Sequence, residues 1–574
     1  MPMVLPTVVP RWWPGSLVLA SLLVAAAPAR AQQDLRFEAE QLYALSEVLE
    51  GGELWGQLFK HGWPTDAAHR RLTRELCGQG ADAFMAAYLG SGAGLPLSQS
   101  AHQEARAQRQ KAAGATAASL LRQELAAYKA LSGATFSVPQ AFDPVAVPFH
   151  RARAELARPH DPNDLASLRW KETPSPRHSL EALGFALLCE ARYARLQLAQ
   201  RRGKLWGATP EGGFFGLVAA HCAVAKLHEL RRLVVDVRAE DFSPRDSLAN
   251  LEEFRYFLPS GWTTAAGRGG VEMKLLPGDD RLKSHLQGLA AVLLGACELL
   301  ALADPDGPKE LLALFSDRPP EGATATLLEK DVHDQALELA LFAFRGLRAF
   351  HVNVRQGRAT SLGGPTTAGS TITPGDLGLF LLGLEAFKQR ARIGGRTPDK
   401  HPRHADVQEE QRKADTLLRS LATSLREWDA DEPGFYDVYS IASNARQAQT
   451  KSLASQALAV RGLLVTHRHV APGGESSPFL VAAERTLRWL DRERWEAPAR
   501  AYVERGGEGP AKASALGALA TLGALRDMAL TTRDGRYLAR YAQYLETLAD
   551  RGLLRRAADR AGAGVAAEVG LTAN

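Results

Sequence analysis

The chain has 574 residues, 45% of them apolar and 23% charged, with 69 basic against 64 acidic side chains and a net charge of +5. That balance excludes whole-chain disorder, a collagen-like fibre and a multi-span membrane protein, and it leaves ample apolar material for a large core. Arginine outnumbers lysine 54 to 15, but the basic residues alternate with acids, as in 491–494, so no nucleic-acid partner is expected.

Residues 1–31 read as a secretory signal. Arg11 makes a weakly positive start, 16–27 is an apolar stretch, and Ala29 and Ala31 put small residues where a signal peptidase reads. Cleavage is expected between Ala31 and Gln32, which leaves a mature net charge of +3 because Arg11 and Arg30 depart. The apolar stretch is shorter than the roughly 20 residues a membrane span needs. No later segment is long enough either, so no span is expected in the mature chain. The expected location is secreted or periplasmic.

Beyond the signal, apolar residues recur with a helical period almost throughout. Segments 35–60 and 98–132 are expected helices of an N-terminal region, 32–175, which ends in Pro-rich stretches. From 176 to 574 a helical-hairpin array is expected, with helices at 178–202, 214–233, 282–303, 333–352, 375–391, 409–428, 451–468, 479–494, 512–531 and 536–550. One small inserted β-hairpin at most is expected, around Trp262–Leu276, where a Gly-rich turn separates two extended runs. Segment 355–373, rich in Gly, Ser and Thr, reads as either a lid or a disordered stretch. Of the four cysteines, Cys189, Cys222 and Cys297 lie on apolar helical stretches, where buried thiols are the ordinary expectation. If one pair is bridged after export, it is expected to be Cys189–Cys222.

The C-terminal part repeats, most clearly over 375–550. The run from Lys451 aligns with the run from Lys512, and each has Gly eleven residues on, at Gly462 and Gly523. Gly295, Gly346 and Gly383 hold comparable mid-helix places, which suggests close helix approach. Trp428 and Trp495 are 67 residues apart, and so are Phe435 and Tyr502. Each unit reads as inner helix, loop, outer helix and a short aromatic segment. With this spacing and the Trp428…Gly434-Phe-Tyr-Asp437 phrase, the C-terminal half resembles the six-hairpin (α/α) toroids, among them glycoside hydrolases and sugar epimerases. The resemblance implies an all-α fold of antiparallel hairpins closing into a toroid.

Signatures of NTPases, dinucleotide-binding enzymes, zincins and serine hydrolases are absent, so no cofactor and no metal is expected. The densest acidic loop runs from Glu427 to Asp437. Asp429, Asp431 and Asp437 are its candidate acid/base residues, and Trp428, Tyr436, Tyr502 and Glu504 are candidate substrate contacts, because a sugar hydrolase pairs carboxyls with aromatic platforms. The same acids partly recur 67 residues later, at Glu496 and Glu504, which favours helix capping over a unique catalytic pair. The loop also resembles a calcium loop but has Pro433 and Ser440 where ligands belong. Histidines 221, 228, 351, 401 and 404 have ordinary core, capping or surface readings. Two functions therefore stand. The favoured one is a non-catalytic envelope protein that binds polysaccharide or another envelope protein. The alternative is a carbohydrate-active enzyme that uses these loop carboxylates.

Overall fold

In the computed structural model, inner and outer helices alternate along the chain from residue 180 onward, and several begin where the sequence supplies a cap. The structure describes residues 38–60, 177–199, 212–249, 251–267, 270–308, 332–353, 356–394, 401–504 and 512–555, plus Met85, Leu311 and a few isolated short strands. The signal segment with Ala31 and Gln32, the expected helix 98–132 and Cys77 lie outside the described residues.

The helices are α1 (Ala39–Lys60), α2 (Leu180–Leu198), α3 (Gly212–Arg232), α4 (Leu286–Leu302), α5 (Val332–His351), α6 (Pro374–Arg390), α7 (His404–Asp431), α8 (Leu453–Val470), α9 (Pro478–Glu493), α10 (Ala515–Thr532) and α11 (Gly535–Asp550). Ser179, Thr373, Ser452 and Ser514 cap α2, α6, α8 and α10, each side chain accepting a backbone N–H three residues on.

Helices α1, α2, α4, α6, α8 and α10 form a closed inner ring, each packed on the next and α10 on α1. Outer helices α3, α5, α7, α9 and α11 pack on the inner helix preceding each. The fold is an (α/α) toroid. Helix α1, from the stretch read as a separate N-terminal region, supplies the sixth inner position and closes the ring. Small residues let the inner helices touch. A Cβ on Gly184 of α2 would sit 2.5 Å from Val292 N of α4, and one on Gly295 would sit 2.7 Å from Gly184 O. A Cβ on Gly462 would come 2.9 Å from Gly378 Cα. Gly346, by contrast, has only ordinary side-chain contacts, so its mid-helix place does not reflect close approach.

The inner helices run parallel, since their first turns lie side by side. A Cβ on Gly288 would be 3.4 Å from Leu180 Cβ, and one on Gly517 would be 3.2 Å from Leu453 Cβ. The loops that lead into them therefore gather at one mouth. The expected hairpin pairs Gly261–Gly267 with Gly270–Leu275, and Arg177–Ser179 adds a third strand. The expectation of at most one hairpin fails, because several further two-residue ladders lace these loops together. A two-residue strand is too short for alternation to mark it in sequence. Segment 355–373 is neither disordered nor a free lid where it is described: Leu362–Gly363 pairs with Ser284–His285, and Thr371–Ile372 with Tyr439–Ser440.

Deeper in the ring, the interior is filled by charge. Arg461 of α8 pairs with Glu47 of α1 and, at 2.8 Å, with Asp527 of α10. Arg526 reaches Glu47 at 3.1 Å and Glu50 at 3.0 Å. Arg192 of α2 joins Glu50, at 3.1 Å, to Glu298 of α4, which also holds Arg195 at 2.7 Å and Arg390 of α6. Burial alone would raise the Glu50 carboxyl, but Arg526, Arg192 and Arg461 outweigh it and hold it at about 2. One ion-pair network thus ties all six inner helices at the buried level, where a lone charge would be prohibitively costly.

Cys189, Cys222 and Cys297 are buried thiols, the ordinary expectation, and the conditional Cys189–Cys222 bridge is not formed. Cys189 Sγ instead donates to the Leu42 carbonyl of α1, 3.1 Å away.

Candidate functional site at the toroid mouth

Three inner helices begin with an acid facing the mouth: Glu40 on α1, Glu181 on α2 and Asp376 on α6. A first-turn acid ordinarily answers the positive end of the helix dipole. Helices α4, α8 and α10 have none, so the feature is not a general property of the ring. Burial pushes the Glu181 carboxyl up to about 8, and the Asp376 and Glu40 carboxylates add to the rise. Burial also raises Asp376, opposed by hydrogen bonds from Ser361 and Thr373 and by His285. Glu40 is raised by burial and by Glu38. Yet Glu40 and His285 are exposed, and Glu181 and Asp376 only half-buried. These side chains thus meet solvent while burial of their surroundings still raises the three carboxyls.

Asp376 is held firmly. Its N–H donates to Thr373 Oγ1 at 3.0 Å, and Ser361 Oγ donates to its Oδ2 while accepting the Thr373 N–H at 3.0 Å. Behind it lies His351, buried, with Nδ1 3.0 Å from the Thr360 carbonyl and Nε2 2.9 Å from Ser284 Oγ. The carbonyl requires a proton on Nδ1, so Nε2 accepts from the serine. Burial lowers this histidine to about 4, so it stays neutral and braces the two loops that carry Ser361 and His285. This is a more interior role than the helix-end cap expected of it. Leu362, 41% exposed, is paired opposite His285 on the same face of the ladder.

The sequence candidates lie elsewhere on the rim. Trp428 is buried, donates to Asn444 Oδ1 at 2.7 Å and stacks on Tyr439. Asp429 is buried near the end of α7, where it accepts from Gly434 N–H at 3.3 Å and Thr486 Oγ1 at 3.1 Å. Tyr502 has no exposed surface and donates to Asp491 at 2.6 Å, so it cannot stack on a ligand. Asp431 ends α7, and its side chain is outside the described residues. Asp437 and Glu504 come together at the start of α8: Asp437 accepts from Ser452 N–H at 2.8 Å, and Glu504 accepts from Leu453 N–H at 3.1 Å. They cap that helix. Tyr436 is half-buried between Arg446 and Lys451, its hydroxyl donating to Glu432 at 2.7 Å. Trp262 is buried against His178. Among the described residues no group of three His, Cys, Asp or Glu side chains is placed to hold a metal, and no helix is long and apolar enough to cross a membrane.

No known protein family matches the chain, and no curated protein does. Among solved structures, a D-mannose isomerase is similar at TM-score 0.43 and 12% identity, over 68% of this chain and 78% of that one. A GH76 alpha-mannanase from Bacteroides thetaiotaomicron is similar at TM-score 0.38 and 11% identity, over 68% of this chain and 80% of that one.

Proposed function

We propose that this is an exported carbohydrate-active enzyme whose mouth carboxyls perform acid/base chemistry. The observation that carries the reading is the Glu181 carboxyl, held at about 8 and therefore protonated at neutral pH, beside an Asp376 that Ser361 and Thr373 keep hydrogen-bonded. Both carboxyls are raised, but only Asp376 has hydrogen bonds that oppose the rise, which suits the two to opposite proton roles. Glu181 delivers its proton to the departing oxygen of a glycosidic bond. Asp376 takes the proton of the water that attacks, and the return of one proton to Glu181 completes the cycle.

The recurrence that favours non-catalytic envelope binding concerns the loop 427–437, which caps α8 and braces α7. The mouth acids are not part of that repeat. The test is turnover of oligosaccharides by the purified mature chain. Glu181→Gln should lower kcat by about 10²–10⁴-fold with the fold intact, within the usual range for a lost general acid. A Glu181→Gln variant as active as the wild type, or no turnover of any glycoside, sinks the reading. Export has its own test: the N-terminal residue of secreted material should be Gln32.

A further inference from the structure

We propose that the ring opens at the joint between α10 and α1, and that segment 564–570 is the strap that latches it. The inference does not depend on the carbohydrate reading; it concerns how the mouth is kept closed.

This joint differs from the others in three ways. The first is connectivity. Between every other pair of neighbouring inner helices the chain itself runs from one to the next. Helix α1 instead precedes α2, and α10 leads into α11, so no direct peptide link joins α10 to α1. The strap stands in for that link. Gly564–Val565 pairs with Leu554–Arg555, just past α11, and packs on α1. Glu568–Gly570 then pairs with Lys512–Ser514, the strand that leads into α10. One short segment thus holds both sides of the joint.

The second difference is packing. Gly184 and Gly295 bring α2 and α4 together backbone to backbone, and Gly378 and Gly462 do the same for α6 and α8. At the α10–α1 joint, Gly523 instead faces the Glu47 carboxyl and the Arg461 guanidinium. The third is a small cavity at the joint, lined by Glu47, Val48, Leu519, Leu522, Arg526 and Tyr541. Here the two helices meet through ion pairs, Arg526 with Glu47 at 3.1 Å and with Glu50 at 3.0 Å. Buried ion pairs give little net hold, because parted charges regain water. Close backbone packing loses its dispersion contacts and regains less. The joint is therefore where the ring parts most readily, and a latch across it decides how often it does. Glu40 rides on α1, so parting the joint also shifts that acid relative to Glu181 and Asp376.

The test places a reporter thiol in the joint. Val48→Cys is a nearly isosteric change at a buried position lining the cavity, and Cys222 and Cys297 are native buried controls. The folded mature protein is exposed to a thiol reagent, and each site is read by mass spectrometry, in the full chain and in a variant ending at Ala563. Loss of the three-residue ladder should speed labelling at position 48 by at least about tenfold while both controls stay slow. The same acceleration is expected of Val569→Pro in the intact chain, which breaks the ladder without shortening the protein and gives the answer if the shortened chain does not fold. Unchanged labelling at position 48 in both variants overturns the latch. Equal acceleration at all three sites also overturns it, because the strap then supports the whole fold and not one joint.

Discussion

Glycine 184 offers a sharp test of how the ring is held. A methyl group added there would lie 2.5 Å from Val292 N and 2.6 Å from Ala291 C, both backbone atoms of α4. Ordinary contact begins near 3.4 Å, so α2 and α4 must separate by about 1 Å. In an open pair of helices that shift is cheap, but in a closed ring each neighbour must also move. Overpacking of this kind costs about 1–3 kcal/mol, against which alanine's better helix propensity returns about 1 kcal/mol. The net is about 0–2 kcal/mol, and because the clash is with backbone atoms that cannot rotate away, Gly184→Ala should lie at the upper end, about 2 kcal/mol destabilised. Gly346→Ala is the control. Its added methyl meets Leu289 Cδ1 at 3.5 Å, an ordinary contact, so propensity wins and the variant should gain up to about 1 kcal/mol. Urea unfolding of both variants beside the wild type gives the two signs directly. A neutral or stabilised Gly184→Ala, or equal losses in both, would refute the close-packed ring.

Glu181→Gln should also change how stability depends on pH. The unfolded carboxyl ionises near its ordinary 4.5 and the folded one near 8, so in between the native state keeps a proton that the unfolded chain has released. Relative to the variant, the wild type should lose stability as pH rises from 4.5 to 8 and level off above. The upper bound is about 5 kcal/mol, which water at the open mouth should cut to about 1–2; parallel pH curves for the two proteins would refute the raised carboxyl. Arg461→Met removes a shared partner from Glu47 and Asp527 and should cost about 3–5 kcal/mol in chemical denaturation. Glu50 is held at about 2, so its share of stability, present above 4.5, should drain away as pH falls from 4.5 to 2, which acid titration followed by circular dichroism would show. Cys189, Cys222 and Cys297 should react with a thiol reagent only after unfolding, since burial raises all three thiols; rapid labelling of the native protein would contradict their placement.

The described helices were legible because helix-forming information is local. Apolar residues return every three or four positions, and Ser or Thr stands at the caps of α2, α6, α8 and α10. The inner–outer alternation was legible too, through the repeat that aligns Gly462 with Gly523. The buried network left a fainter trace, since Glu298, Arg461 and Arg526 interrupt otherwise apolar helical runs. Spacing alone singles out Asp429, Trp428 and Tyr502, and it does not show that their side chains are buried and bonded within the loops.

Sequence alone thus determined the helix class and the hairpin unit, both carried by neighbouring residues. Tertiary structure decided two things. It seated α1 against α10 and so closed the ring, and it brought the first-turn acids of α1, α2 and α6 within electrostatic reach of one another. Glu40, Glu181 and Asp376 lie far apart along the chain in unlike local phrases, and a pairing made by ring closure leaves no period to read. Their shared desolvation exists only once the mouth has formed around them.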